Sequence, residues 1–198
     1  MGSASEVRLE LGVAIRRVVL ERSGTNDDIT LVLEKRPDVV AQCADLILAA
    51  ARATKARIEF SITVSPDDTF ESLVAAGRYD WKNDFVTAKR FPVRPSPVGE
   101  RKLVILHFGR DISSGAAIAE ATKQGFERPT YEDCLRFGVQ HPEVQRQFPI
   151  VFLHEPVRGD DGSPGVLYLS RYDSKRSLGC RWFDGGWRGD CRFAFVCK

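Results

Sequence analysis

The residue types best suited to binding a partner are concentrated near the C-terminus. Trp, Tyr and Arg dominate binding hot spots because they bury large areas at low entropic cost and keep a polar end. Alternation along the predicted strand puts Trp182 on one face and Arg181 with Phe183 on the other, so at least one aromatic belongs to the core. We expect Trp187, in a glycine-rich loop, to be exposed at the centre of a binding site. The predicted ligand-binding residues are Tyr172, Arg181, Trp182, Trp187 and Arg188.

A second group of residues could support acid–base or metal chemistry. His107 ends a predicted buried strand, and Arg110 and Asp111 follow it in the motif HFGRD. Catalytic groups often gather where a strand meets a loop, and convergence of His107 and Asp111 with His154 and Glu155 would give a metal site. The spacing identifies no nucleophile, and a lone histidine at a strand end is more often structural. We therefore assign no catalytic residue, no metal ligand and no cofactor.

The cysteines and one acidic turn offer weaker signals. The five cysteines are Cys43, Cys134, Cys180, Cys191 and Cys197. An odd number without a CxxC pair argues against a disulfide framework and a zinc knuckle, so we expect free thiols. Cys180, Cys191 and Cys197 could bind zinc together with His154, but burial on neighbouring strands is favoured; after export, a Cys180–Cys191 disulfide would be the rival. The turn Asp160 to Ser163 lacks the alternating ligands of a calcium loop, so a solvated hairpin turn is expected.

Composition is that of an ordinary globular chain. The 198 residues are 43% hydrophobic and 28% charged, and the net charge is only +2. This balance gives no electrostatic reason to expect nucleic acid or an anionic membrane as partner. Arg16 and Arg17 interrupt the apolar N-terminal stretch, so no signal-peptide core exists. The apolar run Leu46 to Ala51 is far shorter than the roughly 20 residues of a membrane span, and we predict a cytoplasmic protein.

Hydrophobic periodicity in the first half of the chain predicts strands and helices, and a sheet is expected to cover the apolar face of the helix at 37–54. The run from Ser23 to Asp28 is typical of a turn, which would make the two strands around it a hairpin. A helix beginning after Ser65 is predicted to end at Gly77. The predicted elements are strands at 7–20, 29–34 and 57–64, and helices at 37–54 and 66–77.

A proline-rich segment separates the two halves. Pro92, Pro95 and Pro97 resist both helix and central strand, so we predict a boundary near residue 96 and domains at 1–95 and 96–198. Residues 78–93, with four aromatics among charges, are expected to be irregular or an edge strand.

The second half changes from helices to strands. Ser113 or Ser114 is predicted to cap one helix, and Thr130 with Asp133 forms a capping box for the next. The predicted strands lie at 102–108, 150–154, 166–169, 178–183 and 192–196.

Parts of this half resemble known proteins. The series FGRDISSGAAIAEATKQGFERPTYEDCLRFGVQHPEVQRQFPIV, the ending RWFDGGWRGDCRFAFVCK and the earlier YDWKNDFVTAKRFPV resemble a group of bacterial proteins without assigned activity, common in candidate phyla, over about residues 66–198. More remotely, the order of helix, Gly125, Arg128-Pro129-Thr130, short helix and closing strands is similar to the C-type-lectin-like fold of formylglycine-generating enzymes and retroelement variable proteins. The resemblance implies a loop-rich ligand-binding face and fixes no ligand. The residues around Cys191 and Cys197 do not match the enzymatic members.

The sequence thus predicts an α+β protein, with an N-terminal ββαβα unit followed by a C-type-lectin-like domain. The favoured function is a non-enzymatic binding or interaction protein that uses the loops at 158–165 and 171–188 to hold a protein or small ligand. The alternative is a metal- or cysteine-dependent enzyme, a hydrolase or oxidase, built on His107, Asp111, His154 and a C-terminal cysteine. A phage- or defence-associated factor that acts by protein binding is a third possibility. No oligomeric state is predicted.

Overall fold

A computed structural model describes residues 21–22, 24–36, 38–39, 41–43 and 57–197. It divides the chain into two compact units, Met1–Thr54 and Lys55–Lys198. The boundary predicted near residue 96 does not coincide with this division, since the proline-rich segment lies inside the second unit.

The described part of the first unit contains helix α1, Asn26–Lys35. The strand predicted at 29–34 is therefore wrong. Thr25 and Asp28 explain the helix, because the Asp28 N–H donates to Thr25 Oγ1 at 3.2 Å while Thr25 N–H donates to Asp28 Oδ2 at 2.7 Å. This reciprocal pair satisfies backbone donors that a helix start leaves open. Residues 38–39 and 41–43 are helical, as predicted for the next helix; the rest of that helix and the strand predicted at 7–20 lie outside the described residues.

The second unit combines three helices with a large mixed sheet and a small two-stranded sheet. Its strands are β1 Arg57–Val64, β2 Trp81–Lys82, β3 Gly99–Leu106, β4 Ile112–Ser113, β5 Ile150–Phe152, β6 Val157–Arg158, β7 Pro164–Tyr172, β8 Lys175–Trp182, β9 Gly186–Trp187 and β10 Arg192–Val196. Its helices are α2 Phe70–Gly77, α3 Ser114–Lys123 and α4 Tyr131–Gln140. The α+β class and the positions of most of these elements agree with the predictions.

The large sheet has the order β1-β3-β10-β5-β7-β8-β2, and β6 pairs with β7 outside this path. The C-terminal strand β10 lies between β3, to which it is antiparallel, and β5, to which it is parallel. β4 and β9 form the two-stranded sheet. β1 pairs with β3 along its whole length, across the predicted domain boundary, which explains why the halves do not separate there.

Alternation along the strands gives the sheet an apolar core on each face. In β3, Leu103 and Ile105 belong to the core that α2 and α4 cover, whereas Val104 and Leu106 belong to the core that α3 covers. Successive side chains of a strand point to opposite faces of the sheet, which accounts for this division.

Helix α4 is the most deeply buried helix among the described residues, because every residue from Tyr131 to Gly138 is buried. Its predicted capping box forms: Thr130 Oγ1 accepts from the Asp133 N–H at 3.2 Å, and Asp133 Oδ2 accepts from the Thr130 N–H at 2.9 Å. Near its end, the side of the helix at Gly138 is filled by Tyr79. A Cβ atom at position 138 would overlap the Tyr79 hydroxyl, which is buried and has no hydrogen-bond partner among the described residues.

Substitution of Gly138 should reveal this close contact. We expect Gly138→Ala to lower the free energy of unfolding by about 1–3 kcal/mol, the usual cost of overpacking, although alanine favours helix. Tyr79→Phe should be near neutral, since it removes an unpaired buried hydroxyl. In the double variant, Tyr79→Phe should restore part of the stability lost in Gly138→Ala. Denaturant unfolding of the four proteins gives the coupling.

Gly115 in α3 provides the control, since a Cβ there meets no atom within 4 Å. Gly115→Ala should leave stability unchanged or raise it by up to about 1 kcal/mol. Additive effects of the Gly138 and Tyr79 substitutions would contradict the proposed contact.

Candidate functional site

Trp187 is a core residue, and the expectation that it is exposed is wrong. Its side chain is 2% exposed and packs edge-on against Phe193 at a centroid distance of 6.2 Å. The indole Nε1–H donates to Ser114 Oγ at 2.8 Å, and β9 is held by its pairing with β4. Gly186 and Trp187 therefore form a short strand in which the indole is directed inwards.

The five predicted binding residues do not form one exposed site. Arg181 lies over the buried Trp187 ring at 5.4 Å, and Arg188 pairs with Asp190 at 3.5 Å. Tyr172 is 77% exposed. It stands at the turn end of the β7–β8 ladder, whereas Trp182 pairs with Gly165 at the opposite end. At about 3.3 Å per residue, the two aromatics are roughly 20 Å apart, too far to share a small ligand.

Trp182 lines an open concave surface of about 650 Å³, here named the Trp182 pocket. The side chain of Trp182 is 49% exposed. The ring packs edge-on against Phe85 at a centroid distance of 6.3 Å. Phe85 in turn lies against Gly159 and Gly165, where a Cβ would stand 3.5 and 3.4 Å from its ring. The two glycines thus allow the hairpin backbone to pack on the aromatic floor.

Carboxylates exceed basic groups around this pocket. Asp84, Asp160 and Asp161 line it together with Arg90. The Arg90 guanidinium lies over the Phe85 ring at 4.3 Å and donates to Asp160 at 2.6 Å. Asp84 has no side-chain hydrogen bond or ion pair within residues 57–197. The unbalanced carboxylates therefore make this pocket acidic, although the whole chain is slightly basic.

The turn that joins β6 to β7, residues 158–164, is internally hydrogen-bonded, as predicted for a hairpin turn. Gly159 N–H donates to the Ser163 carbonyl at 2.9 Å, and Arg158 donates to the Gly162 carbonyl at 2.9 Å. Asp161 accepts from the backbone N–H and the hydroxyl of Ser163 at 3.0 and 2.8 Å. These bonds hold the pKa of Asp161 below its ordinary value, and the bond from the Ser163 backbone N–H is the larger cause. This carboxylate therefore stays charged at neutral pH.

His154 anchors the start of the same hairpin. It is 1% exposed, between the rings of Phe91 and Tyr131 at 6.1 and 5.7 Å. Its Nε2 accepts from the Leu167 N–H at 3.0 Å, so Nδ1 carries the proton and donates to the Glu155 carbonyl at 2.7 Å. Burial is the main cause that lowers the pKa of His154 to about 4. Both ring nitrogens are occupied by backbone groups, which makes this histidine a neutral structural residue.

His107 and Asp111 meet on another backbone segment. His107 Nε2 donates to the Gly189 carbonyl at 2.9 Å, and Asp111 Oδ1 accepts from the Gly189 N–H at 2.9 Å. The two side chains therefore hold the loop after β9. No group of three or more His, Cys, Asp or Glu residues within the described ranges is arranged to hold a metal ion. Convergence of His107, Asp111 and His154 with Glu155 is accordingly absent there.

The cysteines form no disulfide among the residues described, and Cys134 and Cys191 are buried. Burial raises the pKa of the Cys134 thiol well above its ordinary value, with smaller contributions from Asp133 and Cys180. Burial also raises the pKa of Cys180 to about 11. At neutral pH these two side chains are protonated thiols, which are poor nucleophiles.

No family model matches the sequence, and it has no match among curated proteins or solved structures. Within the described part of the chain, no helix has the length and apolar character needed to cross a membrane.

Sequence reasoning found Trp182 and the acidic turn but missed Phe85, Arg90 and Asp84. These three residues follow β2, within the segment predicted to be irregular or an edge strand. The signal was an aromatic between charged residues in a segment without periodicity, which favours a loop that carries function.

Substitution of His154 should change how stability depends on pH. The folded-state pKa of about 4 lies below the unfolded value near 6.5, so the unfolded chain binds a proton first as pH falls. The stabilisation is complete above pH 6.5 and is lost between pH 6.5 and 4, by about 3 kcal/mol in all. His154→Gln should be less stable at pH 7 but should lose less stability over this window.

Chemical unfolding at several pH values tests this difference. Equal losses in the wild type and in His154→Gln between pH 6.5 and 4 would contradict a neutral buried histidine.

Proposed function

We propose that this chain is a non-enzymatic binding module, and that its ligand, on a protein or a small molecule, places an organic cation in the Trp182 pocket. The observation that carries the proposal is the half-exposed Trp182 indole inside a concave surface bordered by carboxylates. The hairpin turn that borders this surface belongs to the segment 158–165 that the sequence favours for binding.

Aromatic rings and carboxylates together favour cations over other ligands. An ammonium or guanidinium group over an aromatic face gains about 0.5–1 kcal/mol at an exposed site and more when water is excluded. The chain supplies an internal example in this pocket, since Arg90 lies over Phe85 and pairs with Asp160. Asp84 remains available to a second cation, because Arg90 is already paired with Asp160. An anionic ligand would meet these carboxylates and is disfavoured.

A second proposal concerns the fold of the unit that contains this pocket. We propose that residues 96–198 have a C-type-lectin-like arrangement, in which loops at one end hold the ligand. Two observations support it: α3 and α4 both lie between β3 and β5, and the last strand, β10, returns antiparallel beside β3. A likeness of fold names no ligand, so the cation rests on the pocket alone.

Removal of the Trp182 indole should weaken cation binding without unfolding the protein. The probe is Nα-acetyl-lysine-N-methylamide, titrated by calorimetry or NMR, with the uncharged glutamine analogue for comparison. We expect binding of the lysine probe only, and a loss of about tenfold or more in Trp182→Ala, since a central aromatic anchor dominates such sites.

Trp81 supplies a matched control, because its indole is 50% exposed yet Trp81 does not line this pocket. Trp81→Ala should bind the probe as the wild type does. Equal losses in the two variants, or equal binding of the lysine and glutamine probes, would contradict the proposal.

A further inference from the structure

Three aromatic side chains lie on one side of the sheet formed by β2, β8 and β7. Trp81 of β2 pairs with Ser177 of β8, and Ser177 pairs with Ser170 of β7. Tyr168 and Tyr172 lie two residues to either side of Ser170. Residues opposite each other in a ladder project to the same side, and so do residues two apart along a strand. Trp81, Tyr168 and Tyr172 therefore share one surface, here named the aromatic face.

The aromatic face is on the opposite side of the sheet from the Trp182 pocket. Trp182 follows Ser177 by five positions in β8, an odd number, so their side chains point to opposite sides. Leu178, next to Ser177, belongs to the same core as Phe85 of the pocket floor. The aromatic face and the pocket are thus separate surfaces.

The rings of the aromatic face have no aromatic or cationic partner within the described residues. Each of the other tryptophans and tyrosines contacts a ring or a guanidinium group. Trp81, Tyr168 and Tyr172 make no such contact, and their indole N–H and hydroxyl groups have no hydrogen bond, within residues 57–197. Single exposed aromatics are common, whereas a group of them on one surface marks an interaction site.

Small residues keep the surface between these rings shallow. Ser170 and Ser177 lie in line with Trp81, and Gly179 lies beneath the Tyr168 ring. A Cβ at position 179 would stand 2.3 Å from that ring, so Tyr168 lies across the glycine backbone. The result is a flat strip bordered by aromatic rings, which suits an extended ligand.

We infer that the aromatic face binds a proline-rich segment of a partner protein in the polyproline II conformation. Prolyl rings pack on aromatic rings, and this conformation leaves every backbone carbonyl without an internal hydrogen bond. The indole N–H of Trp81 and the hydroxyls of Tyr168 and Tyr172 are donors for such carbonyls. Because the helix is preformed, the segment loses little conformational entropy on binding.

The separation of the rings is close to the repeat of this helix. Trp81 and Tyr172 are two strands and two residues apart, which puts their Cα atoms about 12 Å from each other. A polyproline II helix presents the same side every three residues, or about 9 Å. A tilt of the two long side chains towards each other makes up the difference. Two prolines three positions apart can therefore meet one ring each.

The chain contains an example of the same polar contact. In its own proline-rich segment, the Tyr131 hydroxyl donates to the Pro92 carbonyl at 2.7 Å. A tyrosine of this protein thus already binds the carbonyl of a proline.

The charges of the aromatic face do not favour the other ligand that stacks on exposed aromatics, a single-stranded nucleic acid. Such a ligand needs a basic groove along its backbone. Lys175 is exposed beside Tyr172, but Arg181 lies over the buried Trp187 ring. Within the described strands, no row of free cations follows the aromatic residues.

Two hexapeptides test the inference on the full chain. They are acetyl-hexaproline-amide and acetyl-Pro-Gly-Pro-Gly-Pro-Gly-amide, and their binding is followed by the indole N–H signals in ¹H–¹⁵N NMR spectra. We expect hexaproline to shift the Trp81 signal and leave the Trp182 signal in place. It should bind about tenfold more tightly than the glycine peptide, which lacks half of the prolyl rings and the preformed conformation.

Variants of the exposed rings locate the site. Trp81→Ala and Tyr172→Ala should each weaken hexaproline binding about tenfold, since each removes an aromatic anchor. Both side chains are exposed, so the variants should fold. Trp182→Ala is the matched control and should bind hexaproline as the wild type does.

Three results would overturn the inference. They are unchanged hexaproline binding in both Trp81→Ala and Tyr172→Ala, equal binding of the two hexapeptides, and a Trp81 shift with a thymidine hexanucleotide but not with hexaproline. The lysine probe with Trp182→Ala tests the proposed function separately, so a failure of one claim is distinguished from a failure of the other.

Discussion

The described fold of residues 57–197 depends on the charges buried along helix α4. Glu132, Asp133 and Arg136 are each nearly inaccessible, and an unpaired charge in such a place costs several kcal/mol. Each one is matched by a different segment. Arg94 of the proline-rich segment pairs with Glu132 at 2.9 Å, Arg101 of β3 pairs with Asp133 at 3.1 Å, and Asp68 before α2 pairs with Arg136 at 2.6 Å. The helix therefore fixes these three segments around itself.

A second buried cation extends this arrangement to the strand that carries Trp182. Arg176 of β8 donates to the Gly138 carbonyl at 2.6 Å and to Gln145 Oε1 at 2.9 Å, and it also reaches the Gly77 carbonyl. The guanidinium thus joins the ends of α2 and α4 to β8. Burial lowers the pKa of Arg176 from its ordinary value. Trp182 lies at the far end of the same strand. The bonds of Arg176 at one end of β8 help to fix the position of the exposed Trp182 at the other.

Local sequence signals predicted much of this fold, and distant contacts account for what they missed. The Thr130–Asp133 capping box and the strand 192–196 depend on neighbouring residues, and both were predicted. Thr25 and Asp28 have the same capping pattern, but the apolar residues after them also suit a strand, so the sequence predicts a turn there instead of a helix start. Alternation separated Trp182 from Phe183 correctly. It could not show that Trp187 is buried, since its partner Ser114 is 73 residues away. The pairing of Arg90 with Asp160 spans 70 residues, so the pocket itself had no local signature.

The central claim is that basic ligands bind at Trp182. The three tryptophans give separate indole N–H signals in a ¹H–¹⁵N NMR spectrum, and their exposures are 50% for Trp81, 49% for Trp182 and 2% for Trp187. Titration with Nα-acetyl-lysine-N-methylamide should shift the signal that is absent in Trp182→Ala and leave the other two in place. A shift of the Trp81 signal alone, or no indole shift at a high concentration of the probe, would contradict the account.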